Sequence, residues 1–436
     1  MQHRIERVSR LVARLEDRLV ASRRDFHQHP ELGWTEFRTA SLIARRLDAL
    51  GYEVALGRQV VDVGSRMGVP PDGVLESCWQ RALREGGDPR YMEAMRGGLT
   101  GVVADLHSGR RPLVAFRFDI DALGVQEAAD PDHRPAREGF RSLHDGVSHA
   151  CGHDAHAAVG LAVAEVLRHL HREIAGSVRL IFQPAEEGVR GARAMVQAGV
   201  VDGVDYLLGH HLYSSWPLGE VAAGMGGYLA TTKFDAHLVG QPAHAGGEPH
   251  RGHNALLAAA TAVLNLYAVP RHRQGATRIN VGRLDAGTGR NVIPAEAHLV
   301  VETRGATTEL NDYMYACARR VLGAAAAMYE CQLEIIEMGA AASGNSDRSL
   351  AERVETMARQ IDGCTVRAPE ESGGSEDFTY MMARVQERGG LAANVGLGAN
   401  LGGWGHHTSR FDIDERAMGV AATLLSVAAL ELGGGR

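Results

Sequence analysis

Two short stretches of the chain hold residue types able to do chemistry together: His149-Ala150-Cys151-Gly152-His153-Asp154 and, about thirty residues on, Gln183-Pro184-Ala185-Glu186-Glu187-Gly188. A thiolate and an imidazole two residues apart can point into one pocket from a turn. Of two adjacent carboxylates, one can bind a metal ion while the other handles protons. Two histidine pairs, His210-His211 and His406-His407, offer further imidazoles. One from each pair, with Cys151, His153 and Glu187, makes five metal-competent groups. That exceeds what a single tetrahedral ion takes, and the mixed donor set suits zinc, manganese and other first-row ions. Two ions sharing a bridge fit better, and the chemistry they serve is hydrolysis. Glu186, beside the ligand Glu187, is then placed to take a proton from water and hand it to a leaving amine.

Taken singly, each group has an ordinary structural explanation. A cysteine is more often a small buried hydrophobe than a ligand. The Glu-Glu pair can open a solvated helix, and the histidine pairs can satisfy a turn or lie on the surface. Their joint occurrence at strand ends and turns of one α/β-type region favours a site.

The elements that must position these groups alternate between β and α. Residues 1–20 form an amphipathic helix, with Ile5, Val8, Leu11, Val12, Leu15 and Leu19 at helical spacing and no apolar signal-peptide core. A helix over 40–50 and a short strand over 52–56 follow. Residues of about 58–98, rich in Gly, Pro and charge around a helix near 74–83, read as an insertion. Strands are expected at 101–106, 113–118, 177–183 and 206–208, with a helix over 154–171. The run Arg117-Phe118-Asp119-Ile120-Asp121 places acidic groups where a strand ends, at the carboxyl edge of an α/β sheet. From residue 232 the order becomes β-α-β-β-α-β, a ferredoxin-like arrangement ending at about 338. The expected division is a catalytic domain of 1–228 and 343–436 with an inserted domain of 229–342.

The 436 residues, 45% hydrophobic and 23% charged, suffice for two cores. A net charge of −7 gives no basic footprint for nucleic acid. Five scattered cysteines argue against a disulfide framework and for the cytoplasm. The apolar run at 420–432 falls short of the roughly 20 residues a bilayer requires, so no membrane partner is expected.

Ser148-His-Ala-Cys-Gly-His-Asp154 and Phe182-Gln-Pro-Ala-Glu-Glu-Gly188 resemble the signature of the M20 metallopeptidase family, in its amidohydrolase branch. The similarity extends to Arg24-Asp25-Phe26-His27, Glu36 to Ala40, Ser65 to Gly68, Ala230 to His237 and Gly373 to Asp377. It implies a zinc-exopeptidase-like catalytic domain, a mixed sheet with helices on both faces, plus a ferredoxin-like lid and dimerisation domain. The implied metal ligands are Cys151, His153, Glu187, His211 and His407, holding two divalent ions, Mn or Zn. His407-Thr408-Ser409-Arg410-Phe411 matches the family's last ligand motif, and His211 is preferred to His210 by its distance after Asp205-Tyr206. Glu186 falls on the general base and Asp119 on an acid that orients the site. Many members carry a histidine ligand where Arg117 stands, a role that then passes to His153.

In the inserted domain, Gly240-Gln241-Pro242-Ala243-His244-Ala245 resembles the loop whose histidine reaches the substrate carbonyl bound by the partner subunit, making His244 an oxyanion donor. Asn291 and Arg304 match positions that hold a substrate carboxylate, a task suited to a guanidinium fork. Lys233 and Arg290 are further candidates. The implied substrate is an N-acyl or N-aroyl acidic amino acid, p-aminobenzoyl-glutamate before indole-3-acetyl-aspartate. A homodimer through the lid is implied, and a hetero-oligomer with a related second chain is the further option. From another class, the alternative is a silent conjugate-binding or regulatory chain.

Overall fold

In the computed structural model, which describes residues 1–107 and 109–434, the chain forms two compact units. The larger comprises Met1–Gly226, Asn345–Ser372 and Tyr380–Arg436, and the smaller Gly227–Gly344 and Gly373–Thr379. The segment 373–379 thus groups with the smaller unit, where the Leu229 N–H donates to the Gly374 carbonyl and the Thr379 hydroxyl to that of Ala342.

The larger unit is built on eight strands: β1 (Glu53–Leu56), β2 (Val102–Leu106), β3 (Leu113–Asp119), β4 (Ser177–Gln183), β5 (Tyr206–Tyr213), β6 (Glu220–Met225), β11 (Thr365–Val366) and β12 (Leu391–Gly398). They lie in the order β1-β2-β4-β3-β5-β12-β6-β11. The centre, β4-β3-β5-β12, is parallel, so the carboxyl ends of β3, β4 and β5 come out along one edge. Asp119, Glu186, Glu187 and His211 stand on or just beyond those ends.

Helices Gln2–Gln28, His153–His169 and Arg416–Gly433 pack on one another through apolar stripes such as Ile5, Val8, Val12, Leu15 and Leu19. The last is longer than the apolar run the sequence suggested and reaches membrane-span length, but 78% of it is buried: it is a core helix. The expected strand at 206–208 also runs on, through both His210 and His211 to Tyr213.

The smaller unit contains β7 (Ala230–Val239), β8 (Thr277–Ala286), β9 (Glu296–Gly305) and β10 (Gln332–Ala341) in the antiparallel order β10-β7-β9-β8, the ferredoxin-like topology. Helices Ala255–Tyr267 and Thr308–Met328 cover one face. Phe234, Ala236 and Leu238 of β7 and Leu299 and Val301 of β9 point into that core, and the alternate residues face the other side.

A buried ionic cluster clamps the first helix behind the Cys-Gly-His turn. Arg23, fully buried, donates to Asp154 Oδ2 at 2.9 Å, Asp412 Oδ1 at 2.8 Å and Glu415 Oε1 at 3.1 Å. His27 Nδ1 lies 2.7 Å from Asp154 Oδ2 and its Nε2 2.9 Å from Glu127 Oε1, so both ring nitrogens donate to carboxylates. Burial opposes the charge on His27, but those hydrogen bonds outweigh it and hold the imidazolium up to about 9. Removing one partner of such a cluster is costly, because the others remain buried and unpaired.

A raised imidazole value fixes the sign of the pH effect. The stabilisation from protonated His27 is complete below its ordinary value of 6.5 and is lost as pH rises through about 9. Urea unfolding between pH 6 and 10 should show a decline of up to roughly 3 kcal/mol from this group. In His27→Gln the protein should be weaker at pH 6 and its decline over the same range shallower.

Candidate metal centre and active site

The turn before helix His153–His169 requires glycine: Gly152 has φ +92°, in the left-handed region that side chains rarely adopt. It turns the chain so that Cys151 and His153 face one pocket, with Glu187 completing a close donor trio. The His153 Nδ1–H donates to the Asp121 carbonyl at 3.0 Å, which turns Nε2 into the pocket. There Nε2 is buried without a hydrogen-bond partner, 3.9 Å from both Glu186 Oε2 and Glu187 Oε1. Glu187 Oε1 is likewise buried and unpartnered by hydrogen bonds.

Asp121, absent from the expected site, holds this arrangement together. Its Oδ1 accepts the Glu186 N–H at 3.1 Å and its Oδ2 the Glu187 N–H at 2.9 Å, while its carbonyl orients His153. The available signal was the Asp119-Ile120-Asp121 pattern, two acids at a strand's carboxyl end separated by one apolar residue. Two further braces hold the Glu-Glu loop. The Ala185 N–H donates to the buried Glu36 at 2.8 Å, and Arg190 bridges the carbonyls of Glu187 and, within the 58–98 insertion, Gly68.

At the end of β5 the His211 Nδ1–H donates to the Leu212 carbonyl at 3.0 Å, presenting Nε2 to Cys151 Sγ at 3.4 Å. Its neighbour His210 is buried against the Phe118 ring. Burial, with His156 and His406 nearby, holds His211 well below the usual imidazole value, so its lone pair is available.

Both histidines of the last pair reach the site. His406 accepts the Ser214 N–H at Nε2, 3.4 Å, and sets Nδ1 3.8 Å from Cys151 Sγ, which engages both its nitrogens. His407 points Nε2 at Glu187 Oε1, 3.5 Å away, from a left-handed backbone with φ +61°. Such strain in a non-glycine residue persists where the surroundings impose it.

Asp119 stands at the end of β3, its Oδ1 3.8 Å from His153 Nε2 and bonded at 2.5 Å to His156 Nδ1, with Arg117 on its other oxygen. His156 Nε2 in turn accepts the Leu212 N–H at 3.0 Å, linking the ends of β3 and β5. Burial opposes ionisation, but His153, Arg117 and His156 hold Asp119 well below the usual carboxylate range.

The donors fit a cation. Burial disfavours a charge on His153, yet Asp119 and Cys151 outweigh it and hold His153 well above its ordinary value. Cys151 and the Glu187 carboxylate beside it hold His407 up to about 10. The pocket therefore demands positive charge, and divalent ions answer that demand by displacing the protons. Two buried polar atoms that face each other without a hydrogen bond between them, His153 Nε2 and Glu187 Oε1, point to the same conclusion.

The remaining candidates belong to the smaller unit. His244 is exposed, and its Nδ1 accepts the N–H groups of Gly246 at 3.1 Å and Gly247 at 2.9 Å, so in the neutral ring the proton sits on Nε2 as an outward donor. Antiparallel bridging of His244 to Val292 brings the exposed Asn291 alongside, with the Ala245 N–H on the Asn291 carbonyl. Arg290 is exposed in the same connection. Lys233 and Arg304 lie half-buried on the helix-free face, where Arg304 pairs with Glu302 at 3.2 Å.

Residues 115–430 match the model of peptidase family M20/M25/M40, and the chain belongs to that family of hydrolases. It is 47% identical, over 98% of both chains, to one of the subunits of p-aminobenzoyl-glutamate hydrolase from Escherichia coli strain K12. It is also 49% identical to the indole-3-acetyl-aspartic acid hydrolase of Enterobacter agglomerans, covering 94% of each chain. Among solved structures, the aminobenzoyl-glutamate utilization protein of Klebsiella pneumoniae superposes with a TM-score of 0.85 at 43% identity, covering 98% of each chain. The Bacillus subtilis YXEP protein, described as a dinuclear metal-binding M20 peptidase, gives 0.66 at 27% identity, covering 97% of this chain and 99% of its own.

Because Asp121 aligns both glutamates and His153, Asp121→Asn should lower metal affinity about 10- to 100-fold without unfolding the protein. Competition against a chromophoric chelator, with circular dichroism as the folding control, measures this directly.

Proposed function

We propose that this chain hydrolyses the amide of an N-acyl or N-aroyl acidic amino acid, with p-aminobenzoyl-glutamate as the leading substrate and indole-3-acetyl-aspartate as the alternative. The observation that carries the reading is the Glu186-Glu187 pair, both backbone amides on Asp121, facing the His153 nitrogen in a donor-rich pocket. The substrate choice draws on the names of the two curated relatives. A silent binding protein has no use for a second carboxylate beside the ligand.

Cys151, His153, Glu187, His211 and His407 would hold two divalent ions, Mn or Zn. When bound, such ions make water acidic near neutral pH and stabilise negative charge on a carbonyl oxygen. Glu186 takes the proton of the attacking water and returns it to the departing amine. His244 donates its Nε2–H to the carbonyl oxygen as charge develops there, and Asp119 orients the site. Asn291 and Arg304, with Lys233 and Arg290, take the carboxylates of the amino acid. Release of Arg304 from Glu302 precedes its use.

The smaller unit is proposed as lid and dimerisation domain, with His244 serving the partner's site. Helix Ala255–Tyr267 is apolar on both sides: Leu256, Leu257, Leu264 and Tyr267 are 37%, 45%, 74% and 48% exposed along one face. A helix apolar all round has a second surface to bury. The Escherichia coli relative is named as one subunit of its enzyme, which makes a related second chain a further possible partner. The cysteines are all free, which favours the cytoplasm.

Glu186→Gln should retain full metal content and lose about 10²- to 10⁴-fold in kcat, measured as free glutamate released from p-aminobenzoyl-glutamate or aspartate from the indole conjugate. Retained turnover would remove Glu186 from its role. Mixed under proven subunit exchange, His244→Ala and Glu186→Gln proteins should regain part of the activity. Absence of any regain would place His244 in its own chain's site or outside catalysis.

A further inference from the structure

The helix-free face of the smaller unit carries a second group of metal-competent side chains. His237 on β7 and His298 on β9 are direct cross-strand neighbours. Their rings stack nearly parallel, 4.4 Å between centroids and 4° between planes. Asp235, two residues before His237 and therefore on the same face, places Oδ2 2.9 Å from His298 Nε2. One donor atom from each of the three lies within 4.8 Å of the others. The row continues in register across the sheet, Glu334 of β10 opposite His237 and Asp285 of β8 opposite His298.

We propose that Asp235, His237 and His298 form a binding site for one divalent first-row transition ion, separate from the catalytic donors. Bonds of about 2.0–2.2 Å place neighbouring donors of such an ion roughly 3.4 Å apart, so the trio draws in around it from donor separations within 4.8 Å. Two imidazoles and a carboxylate select nickel, copper or zinc over magnesium or calcium, which prefer oxygen. The ion takes the place of the proton shared by His298 and Asp235, and Glu334 and Asp285 add favourable charge on either side.

The site opens on a cavity of about 430 Å³ bounded by His237, Pro242, Asp285, Val292, Glu296 and His298. Pro242 and Val292 belong to the two segments that carry His244 and Asn291. The Gly240 N–H donates to the Ala295 carbonyl where those segments leave β7 and enter β9. An ion bridging His237 and His298 therefore ties the two strand ends from which both segments spring, and three protein donors leave positions free toward the cavity.

The test uses the full chain carrying Cys151→Ala and Glu187→Ala, titrated with Ni²⁺ or Cu²⁺, with nitrogen hyperfine coupling in the Cu²⁺ resonance as the signature of imidazole. One equivalent bound with nitrogen coupling, and lost or weakened at least tenfold by His298→Ala and by the milder His237→Gln, is the expected result. Saturation unaffected by either substitution, or no coupling to nitrogen, overturns the site. In the otherwise unaltered protein the same substitutions should lower total bound Zn²⁺ by one ion per chain. An unchanged total would equally overturn it, whatever the fate of the hydrolytic assay.

Discussion

The carboxylate of Asp121 sits where three requirements of the site meet. Its two oxygens hold the backbone of Glu186 and Glu187, and its carbonyl fixes the ring of His153. These are residues from the ends of β3 and β4 and from the first turn of a helix, so one residue, through side chain and main chain together, joins three separate pieces of chain into one pocket. The parallel centre of the sheet makes this possible by delivering those ends to the same edge. Without the Asp121 bonds, the loop bearing the two glutamates would retain its Glu36 and Arg190 braces but lose the alignment of its carboxylates.

The surrounding charges explain why so many ionisable groups can be buried together. Behind the Cys-Gly-His turn, Arg23 and His27, with Arg24 and Arg134, neutralise Asp154, Glu127, Asp412 and Glu415, and the cluster anchors helix Gln2–Gln28 where its apolar stripe alone would allow sliding. In front of the turn, Asp119 and Glu187 leave an excess of negative charge that protons on His153 and His407 satisfy until divalent ions displace them, while burial pushes the Cys151 thiol up. The same turn thus separates a permanently compensated cluster from one whose compensation is exchangeable. That difference distinguishes a scaffold from a binding site.

Much of this was legible in the sequence. The strand at 177–183, the helix from Gln2 and the β-α-β-β-α-β order follow from periodicity and turn residues. The donors of the pocket stood out because unusual residue types recur at short spacing. Harder to see were β6 and β12, whose glycines give weak strand signals. Gly396 is explained only by tertiary packing, since a Cβ there would lie 2.5 Å from the Trp216 ring. The strand through His210 and His211 was cut short for a related reason: Leu207 to His210 are buried in an unbroken run, without the alternation that marks a half-buried strand. Asp121 and His156 act through hydrogen bonds to backbone groups far away in sequence; the Asp119-Ile120-Asp121 pattern marks the acid but not these partners. The Asp235, His237 and His298 group depends on strand register, which becomes visible only when β7 and β9 are paired.

The most direct test is diffraction from crystals grown with Mn²⁺ or Zn²⁺, collected on both sides of the metal's absorption edge. Two anomalous peaks are expected in the larger unit, with Cys151, His153, Glu187, His211 and His407 as their protein ligands and Asp121 outside bonding distance of both. A pocket without anomalous signal, or ions held by other side chains while His153 Nε2 and Glu187 Oε1 stay unligated, would contradict a dinuclear centre built on these five donors.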